Sequence, residues 1–575
     1  MRRALPILLA IGSGLAMALA LPLVVPALSL RELDPAGRLE PIAFVALVPA
    51  LLALRGARRA RGALLLGLAA GLAYFFAAIY WVSHAMTAFG GLSLGLSLVA
   101  LTLLVLYMAA HWAAAFAICF RIRERLGWPL WTHLPVVWVA LELCRNYLFS
   151  GFPWADLGYT QVRTLPVAQL AAVTGVYGIA ALVVLVNAVL AEAVARWREG
   201  RGGAWRPLAG TAVLLGLVLV HGLVHLRTVR ARVAAAPEIR VGVIQPNIDQ
   251  SVKNEARDHR DYILSRLVPL TAEADAAGAD LVAWPEAAYP LYVPPSTRSF
   301  DRPGAGLPIL SHAHLLLGAT TLDWLQGADG KRVPRIANAQ FLLSPGLAVL
   351  GRYAKHHLVP FGEYVPFQRF LPFIGHLVPT FAPVEPGQAL TALQFPLARS
   401  APLAAAPLPA DPPPAPPSEQ VRVAPMICFD AIFPEIAGAY ARQEPEPEIL
   451  FNPTNDAWYG YSSGPYQFLA IVQLRAIETG KAVVRPAYAG VSAVILPTGE
   501  LAPGAIEVGP VDPDLAPDPE EPARLLLAGV PRLQGRTLYT TIGDLFAWTC
   551  AALTAAALVA AARAGRRPGR GQGGT

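Results

Sequence analysis

Residues 421–430 read Val421-Arg422-Val423-Ala424-Pro425-Met426-Ile427-Cys428-Phe429-Asp430. The run reads as a buried strand that enters a sharp turn, followed by a helix from Ile432 to Arg442. Cys428 stands at that elbow. A thiol there is expected to be presented rather than buried, with its thiolate favoured by the helix N-terminus. The competing reading is a small core residue at a strand end, since free cysteines are often buried. On the elbow alone the competing reading is the stronger one. Cys119, Cys144 and Cys550 lie in or beside apolar stretches, so no disulfide framework is expected.

Outward from Cys428, the composition divides the chain. Of 575 residues, 55% are hydrophobic and only 15% charged, too apolar for a soluble protein of this length. The apolar mass lies at the two ends. Transmembrane helices are expected near 8–28, 40–54, 62–82, 92–118, 130–149, 166–194, 206–226 and 543–563. Most approach the roughly 20 apolar residues that cross a bilayer. The 40–54 segment is also consistent with a re-entrant loop, and 130–149 carries Glu142 and Arg145, an i, i+3 pair expected to bridge near the interface.

Arginines sort the loops. They cluster at Arg2 and Arg3, at Arg55 to Arg61, at Arg121 to Arg125, at Arg196 to Arg206 and after Arg563, and are sparse in alternate loops. The positive-inside rule then puts both termini in the cytoplasm and the long polar segment on the other side, the periplasm of a bacterial inner membrane. The net charge of +7 is therefore mainly a topology signal. No basic stripe with interleaved aromatics is present, so a nucleic-acid partner is not expected. No histidine or cysteine spacing suits zinc, so neither a metal nor a cofactor is expected.

Residues 1–229 are thus expected to be a membrane domain of about seven helices, 230–540 an extramembrane α/β domain, and 541–575 a last span with a basic tail. In the middle segment, short strands alternate with helical patterns. Strands are predicted at 239–245, 279–284, 314–319, 340–344, 349–353, 421–427, 449–452 and 491–496, and helices at 262–277 and 466–479. Residues 401–418 form a Pro/Ala-rich tract, expected to be an extended loop.

Three polar residues follow predicted strands: Glu286, Lys355 and Cys428. Together they suit acyl transfer. The thiolate attacks a carbonyl, the carboxylate moves protons, and the ammonium stabilises the oxyanion. Singly, Glu286 and Lys355 read better as an ordinary ion pair.

Glu286 in WPEAA, Lys355 in YAKHHLVPFGEYVPF and Cys428 in ICFDAIFPE resemble the Glu-Lys-Cys triad of the nitrilase superfamily, in the same chain order. Further motifs are GFPWADLGYTQ (151–161), GVYGIA (175–180), the stretch 451–494 beginning FNPTNDAWYGYSSGPYQ, and TLYTTIGD (537–544). A nitrilase-like domain set between membrane helices resembles the apolipoprotein N-acyltransferase family. The resemblance implies an αββα sandwich beside a multi-span helical domain. It implies that a membrane phospholipid, usually phosphatidylethanolamine, acylates Cys428 as a thioester. The amine of a diacylated apolipoprotein then takes the chain. Glu286 would be base and acid, Lys355 the oxyanion residue, and Glu363, Asp430, Asn338 and Trp458 supporting residues. A monomer is the expected state. Aromatics of 361–373 would either gate lipid entry or pack against the membrane.

Several positions depart from that family's pattern. Phe429-Asp430 replaces Tyr-Glu after the nucleophile, Asn254 stands where tryptophan is common, and PAYAG (486–490) replaces a Thr-Asn-Thr-Gly type sequence. Two other readings stay open: a membrane-tethered amidase in which water attacks the thioester, and a transporter or scaffold without catalysis. The first shares the acyl-enzyme. The second lacks paired broken helices in repeated halves.

Overall fold

β1 (Glu238–Gln245) sets the layering of the sheet unit. Its alternate residues Ile239, Val241 and Val243 face one core, while Ile244 faces another. The computed structural model describes residues 4–25, 33, 36–326, 332–366, 384–397, 419–460, 462–508 and 523–565. The expected loop 401–418 and residues 367–373 of the aromatic segment lie outside these. The described chain falls into two units. One is Ala231–Tyr461 with Thr479–Arg536, and the other is Met1–Arg230 with Ser462–Glu478 and Thr537–Thr575.

In the first unit one sheet joins β1, β2 (Leu281–Ala283), β3 (Tyr289–Val293), β4 (His314–Gln326), β5 (Arg332–Leu343), β6 (Val349–Ala354) and β13 (Arg524–Pro531). β1, β2 and β4 run parallel, and β13 closes one edge antiparallel along the whole of β1. The second sheet follows the order β12 (Ile506–Val508), β11 (Gly490–Ile495), β10 (Ala482–Arg485), β9 (Ile449–Phe451), β8 (Gln420–Pro425), β7 (Leu393–Pro396). Val241, Leu281, Leu316 and Leu342 of the first sheet share a fully buried core with Val423, Ile449, Phe451 and Val484 of the second. Each such side chain contributes about 1.5–3 kcal/mol. On the other face of the first sheet, Val282, Leu315 and Leu317 pack with Ile263, Leu264 and Leu267 of the helix Arg260–Ala276.

The expected strands are all present, and five were not foreseen: β3, β7, β10, β12 and β13. The expected helix at 432–442 is shorter. Cys428–Ile432 is a 3-10 turn, and the α-helix runs only Pro434–Ala441.

Among the described residues, five helices are long and apolar enough to cross a membrane: Ala60–Ile79, Leu94–Leu126, Val176–Arg198, Trp205–Ala235 and Leu545–Arg563. The other expected spans differ. The first is helical only over Leu5–Ala18, 14 residues, shortly before Pro22. The second breaks into Glu40–Ile42, Ala43–Ala46 and Val48–Gly56, with Pro41 and Pro49 each opening a new piece. The fifth, Leu130–Tyr147, has 18 residues and carries Glu142 and Arg145. The sixth is continuous only from Val176, after a break at Gly175.

Glu142 and Arg145 do not bridge each other as expected. Arg145 pairs with the buried Asp156. Glu142 accepts from the Trp138 indole (3.0 Å) and the Leu157 amide (3.0 Å). Segments far apart in the chain meet here. The Gln467 carboxamide oxygen accepts from Trp154 (2.8 Å) and Trp81 (3.3 Å), and its nitrogen donates to the Ala78 and Pro22 carbonyls. Arg475 pairs with Glu478 (2.9 Å), whose carboxylate also accepts from the Val176 amide (2.9 Å) and so caps that helix.

The Ala60–Ile79 and Leu94–Leu126 helices cross closely at Gly67. A Cβ there would meet the main chain of Trp112 and Ala113. Small residues permit such approach in membrane helices. Gly67→Ala is expected to destabilise the unit by about 1–3 kcal/mol through overpacking. A lowered melting temperature in detergent checks this, and an unchanged one would refute it.

Candidate active site

Each chemical residue follows a strand of the sheet unit, where the main chain must turn and side chains are left free of the ladder. Glu286 stands three residues past β2. The Trp284 ring before it is fully buried and donates to Thr271 (2.9 Å), which fixes the turn. β4 passes so close that a Cβ on Gly318 would collide with the Pro285 carbonyl. Lys355 directly follows β6, and its amide donates to the Asn338 carbonyl of β5 (2.8 Å). Cys428 lies three residues past β8, with φ of +46°. Its amide donates to the Pro453 carbonyl (2.8 Å), and the Asn452 carboxamide donates to the Met426 and Cys428 carbonyls (2.8 and 3.2 Å).

The three side chains converge. Lys355 Nζ lies 3.2 Å from Glu286 Oε1 and 3.0 Å from Glu363 Oε1. Asn338 Nδ2 donates to the same Glu286 oxygen at 2.7 Å. The Cys428 thiol lies within the field of both, the Glu286 carboxylate and the Lys355 ammonium each acting on it. Glu363 is steadied by the Val359 amide (2.8 Å). Asp430 binds the turn rather than the reacting groups. It accepts from the Ile427 amide (2.9 Å), the His357 amide (2.7 Å) and the Tyr353 hydroxyl (2.8 Å), which ties the nucleophile's turn to the strand bearing Lys355. Phe429 joins an aromatic group with His357 and Phe433. Trp458 stands one step away. With the Asn455 amide oxygen turned towards its donors, it accepts from Trp458 Nε1 (3.0 Å) and Lys253 Nζ (3.1 Å).

The electrostatics correct two expectations. Cys428 is buried, only 7% exposed, rather than presented. Its thiol is also not favoured as thiolate. Burial pushes it up, Glu286 adds to this, and Lys355 offsets only part, leaving it at about 12. The α-helix begins only at Pro434, so Cys428 is not part of its first turn. Glu286 shows the opposite balance. Burial raises its carboxyl, but Lys355 and Lys253 together hold it below its ordinary value. Lys355 is depressed by burial and raised further by Glu286 and Glu363, so it stays charged. At rest the site holds a neutral thiol, a carboxylate beside it and an ammonium. The carboxylate can take the thiol proton as the sulfur attacks, and the ammonium can face an oxyanion.

Three further residues belong to the site without having been foreseen. Lys253 donates to the Glu286 main-chain carbonyl (2.8 Å). Tyr488, from the PAYAG departure, places its ring 4.0 Å from the Lys253 ammonium. Tyr459 feels the charges of Cys428 and Glu286. Asp456, two residues past Thr454, is clamped by Arg485 with two contacts of 2.9 Å and so anchors the loop opposite the thiol. The only local signal for Lys253 was its place beside Asn254.

With this geometry in hand, the chain can be set against known proteins. Residues 13–189 match the Apolipoprotein N-acyltransferase N-terminal domain, and residues 240–509 match Carbon-nitrogen hydrolase. An Apolipoprotein N-acyltransferase from Geobacter metallireducens is 35% identical over 93% of this chain and 92% of its own length. One from Caulobacter vibrioides is 31% identical over 76% of this chain and 77% of its own. The two-sheet unit, the apolar helices and the near end-to-end similarity agree: the chain belongs to the apolipoprotein N-acyltransferase family.

Proposed function

We propose that the protein moves a fatty acyl chain from a membrane phospholipid to the N-terminal amine of diacylated apolipoproteins. The observation that supports this most is the buried Glu286–Lys355–Cys428 cluster, in which the Glu286 and Lys355 charges both act on the thiol. Glu286 accepts the thiol proton as sulfur attacks the ester carbonyl. The tetrahedral oxyanion forms beside Lys355. Collapse breaks the ester C–O bond, and Glu286 returns the proton to the departing lyso-phospholipid oxygen. The apolipoprotein amine then attacks the thioester and gives its proton to Glu286. The C–S bond breaks, an amide is released, and the sulfur regains a proton from Glu286.

Phosphatidylethanolamine is the donor we assign. The apolar helices favour a lipid substrate over the small amide of a tethered amidase, since a soluble amide requires no membrane scaffold. Glu363 and Asn338 hold Lys355 and Glu286, Asp430 holds the turn, and Trp458 acts through Asn455. We place both termini in the cytoplasm and residues 230–540, as the catalytic part, at the periplasmic face of a bacterial inner membrane. The arginines at the ends of Leu94–Leu126, Val176–Arg198 and Leu545–Arg563 support this. The working form is a monomer.

Intact mass of the detergent-purified protein after incubation with phosphatidylethanolamine tests the reading. A fatty-acyl gain, labile to hydroxylamine and discharged by a diacylated lipopeptide, is expected. Discharge by water alone at the same rate would identify a hydrolase instead. No adduct would overturn the donor.

A further inference from the structure

Lys355 is not the only cation at the nucleophile. Its ammonium is committed to two carboxylates, Glu286 and Glu363. Lys253, half-buried on the short helix Gln250–Asn254, forms no ion pair among the described residues. Its nitrogen donates to the Glu286 carbonyl at 2.8 Å and lies over the Tyr488 ring at 4.0 Å. A cation over an aromatic face is held without surrendering its charge. That charge acts on Glu286 and Cys428, and is one of the two that keep the Glu286 carboxyl low.

We infer that Lys253 is a positioning residue for the proton-transfer base, fixing the Glu286 main chain and keeping its carboxylate ionised beside the thiol. This rests on the proposed roles of Cys428 and Glu286. Other charged and titratable groups also face this corner. Lys355 and Glu363 come from the segment after β6, Cys428 and Asp430 from the nucleophile turn, and Asp456 and Tyr459 from the loop after β9. Lys355 supports the same ionisation, so loss of Lys253 weakens it without removing it. Burial pushes the Lys253 ammonium down to about 8, with Glu286 and Cys428 pulling it back up and Lys355 pushing it down. Its charge is thus present below about 8 and lost above. Its influence belongs to the acid side of any profile.

The test is the rate of Cys428 alkylation by iodoacetamide across pH 4 to 9, on the full chain in detergent, read by peptide mass. In Lys253→Gln the acid limb should move up by about one pH unit, so that near pH 4, at the foot of the range, the variant reacts roughly 3- to 8-fold more slowly than wild type. Near pH 9 the two should converge. Lys253→Arg should keep the wild-type limb. A merely structural lysine would change the amount of folded protein but not the limb. Coincident limbs for wild type and Lys253→Gln overturn the inference. Glu286→Gln is run alongside. If it flattens the limb while Lys253→Gln leaves it unmoved, only this inference falls. If it has no effect, Glu286 is not the base, and both this inference and the proposed mechanism fall.

Discussion

Cys428→Ala is expected to bring acyl transfer to background, a loss on the order of 10³-fold or more, while leaving the fold intact. The size follows from the site. The neighbouring oxygens of Glu286 and Glu363 are already engaged by Lys355, Asn338 and Val359, so none replaces the sulfur as nucleophile. The turn itself does not depend on the thiol. It is held by the Cys428 amide, the Cys428 carbonyl and Asp430, all of which alanine leaves in place. Two measurements check this: the intact-mass adduct disappears, and the melting temperature in detergent stays close to wild type. An adduct that persists in Cys428→Ala would assign the nucleophile elsewhere.

Lys355→Met is expected to impair both chemistry and stability. Lys355 is 1% exposed and bridges two carboxylates. Removing one partner of a buried pair costs about 3–5 kcal/mol, because charge is left in the interior without a partner. The sign is fixed by the shifts. The Glu286 carboxyl is held below its ordinary 4.5, so its contribution is present above that value and lost as pH falls through the folded one. Lys355 is held above its ordinary 10.5, so its contribution is present below that value and lost as pH rises through the folded one. The variant should therefore be destabilised throughout the neutral range. Without Lys355, Lys253 alone opposes the rise that burial imposes on Glu286, so less of the base is ionised, and the oxyanion loses the ammonium that would face it. A rate loss of about 10²–10⁴-fold is expected. Thermal melts and adduct formation, measured against pH, separate the two effects. Equal melting temperatures would mean that the lysine carries no buried pair.

Glu286, Lys355 and Cys428 were legible as a candidate set through the motifs WPEAA, YAKHHLVPFGEYVPF and ICFDAIFPE, whereas their strand ends alone pointed to a core thiol and an ion pair. Their protonation was not legible. The thiol's state depends on burial and on Glu286, which approaches from a distant part of the chain. Lys253 escaped for a related reason. Its partners are a main-chain carbonyl and a ring far downstream, and neither leaves a local pattern. β13 was missed because Leu525-Leu526-Leu527 breaks alternation, and its ladder is with β1 at the opposite end of the domain. β10 was missed because it ends in Arg485, a charge that argues against a buried strand until Asp456 is seen to clamp it. Hydropathy overestimated the length of continuous helix where proline interrupts an apolar run, as at Pro41 and Pro49.

The helix Gly464–Thr479 lies in the middle of the carbon-nitrogen hydrolase match, yet it spends its polar side chains on Trp81, Trp154, Tyr159 and the Val176 amide. The hydrolase region is therefore not a portable cassette. A fragment covering 231–536 would keep the Arg475–Glu478 pair but deprive Gln467, Arg475 and Glu478 of Trp81, Trp154, Tyr159 and the Val176 amide. In this chain, replacing residues 13–189 without 462–478 would remove the partners of Gln467, Arg475 and Glu478, so the two segments are interchangeable only as a set.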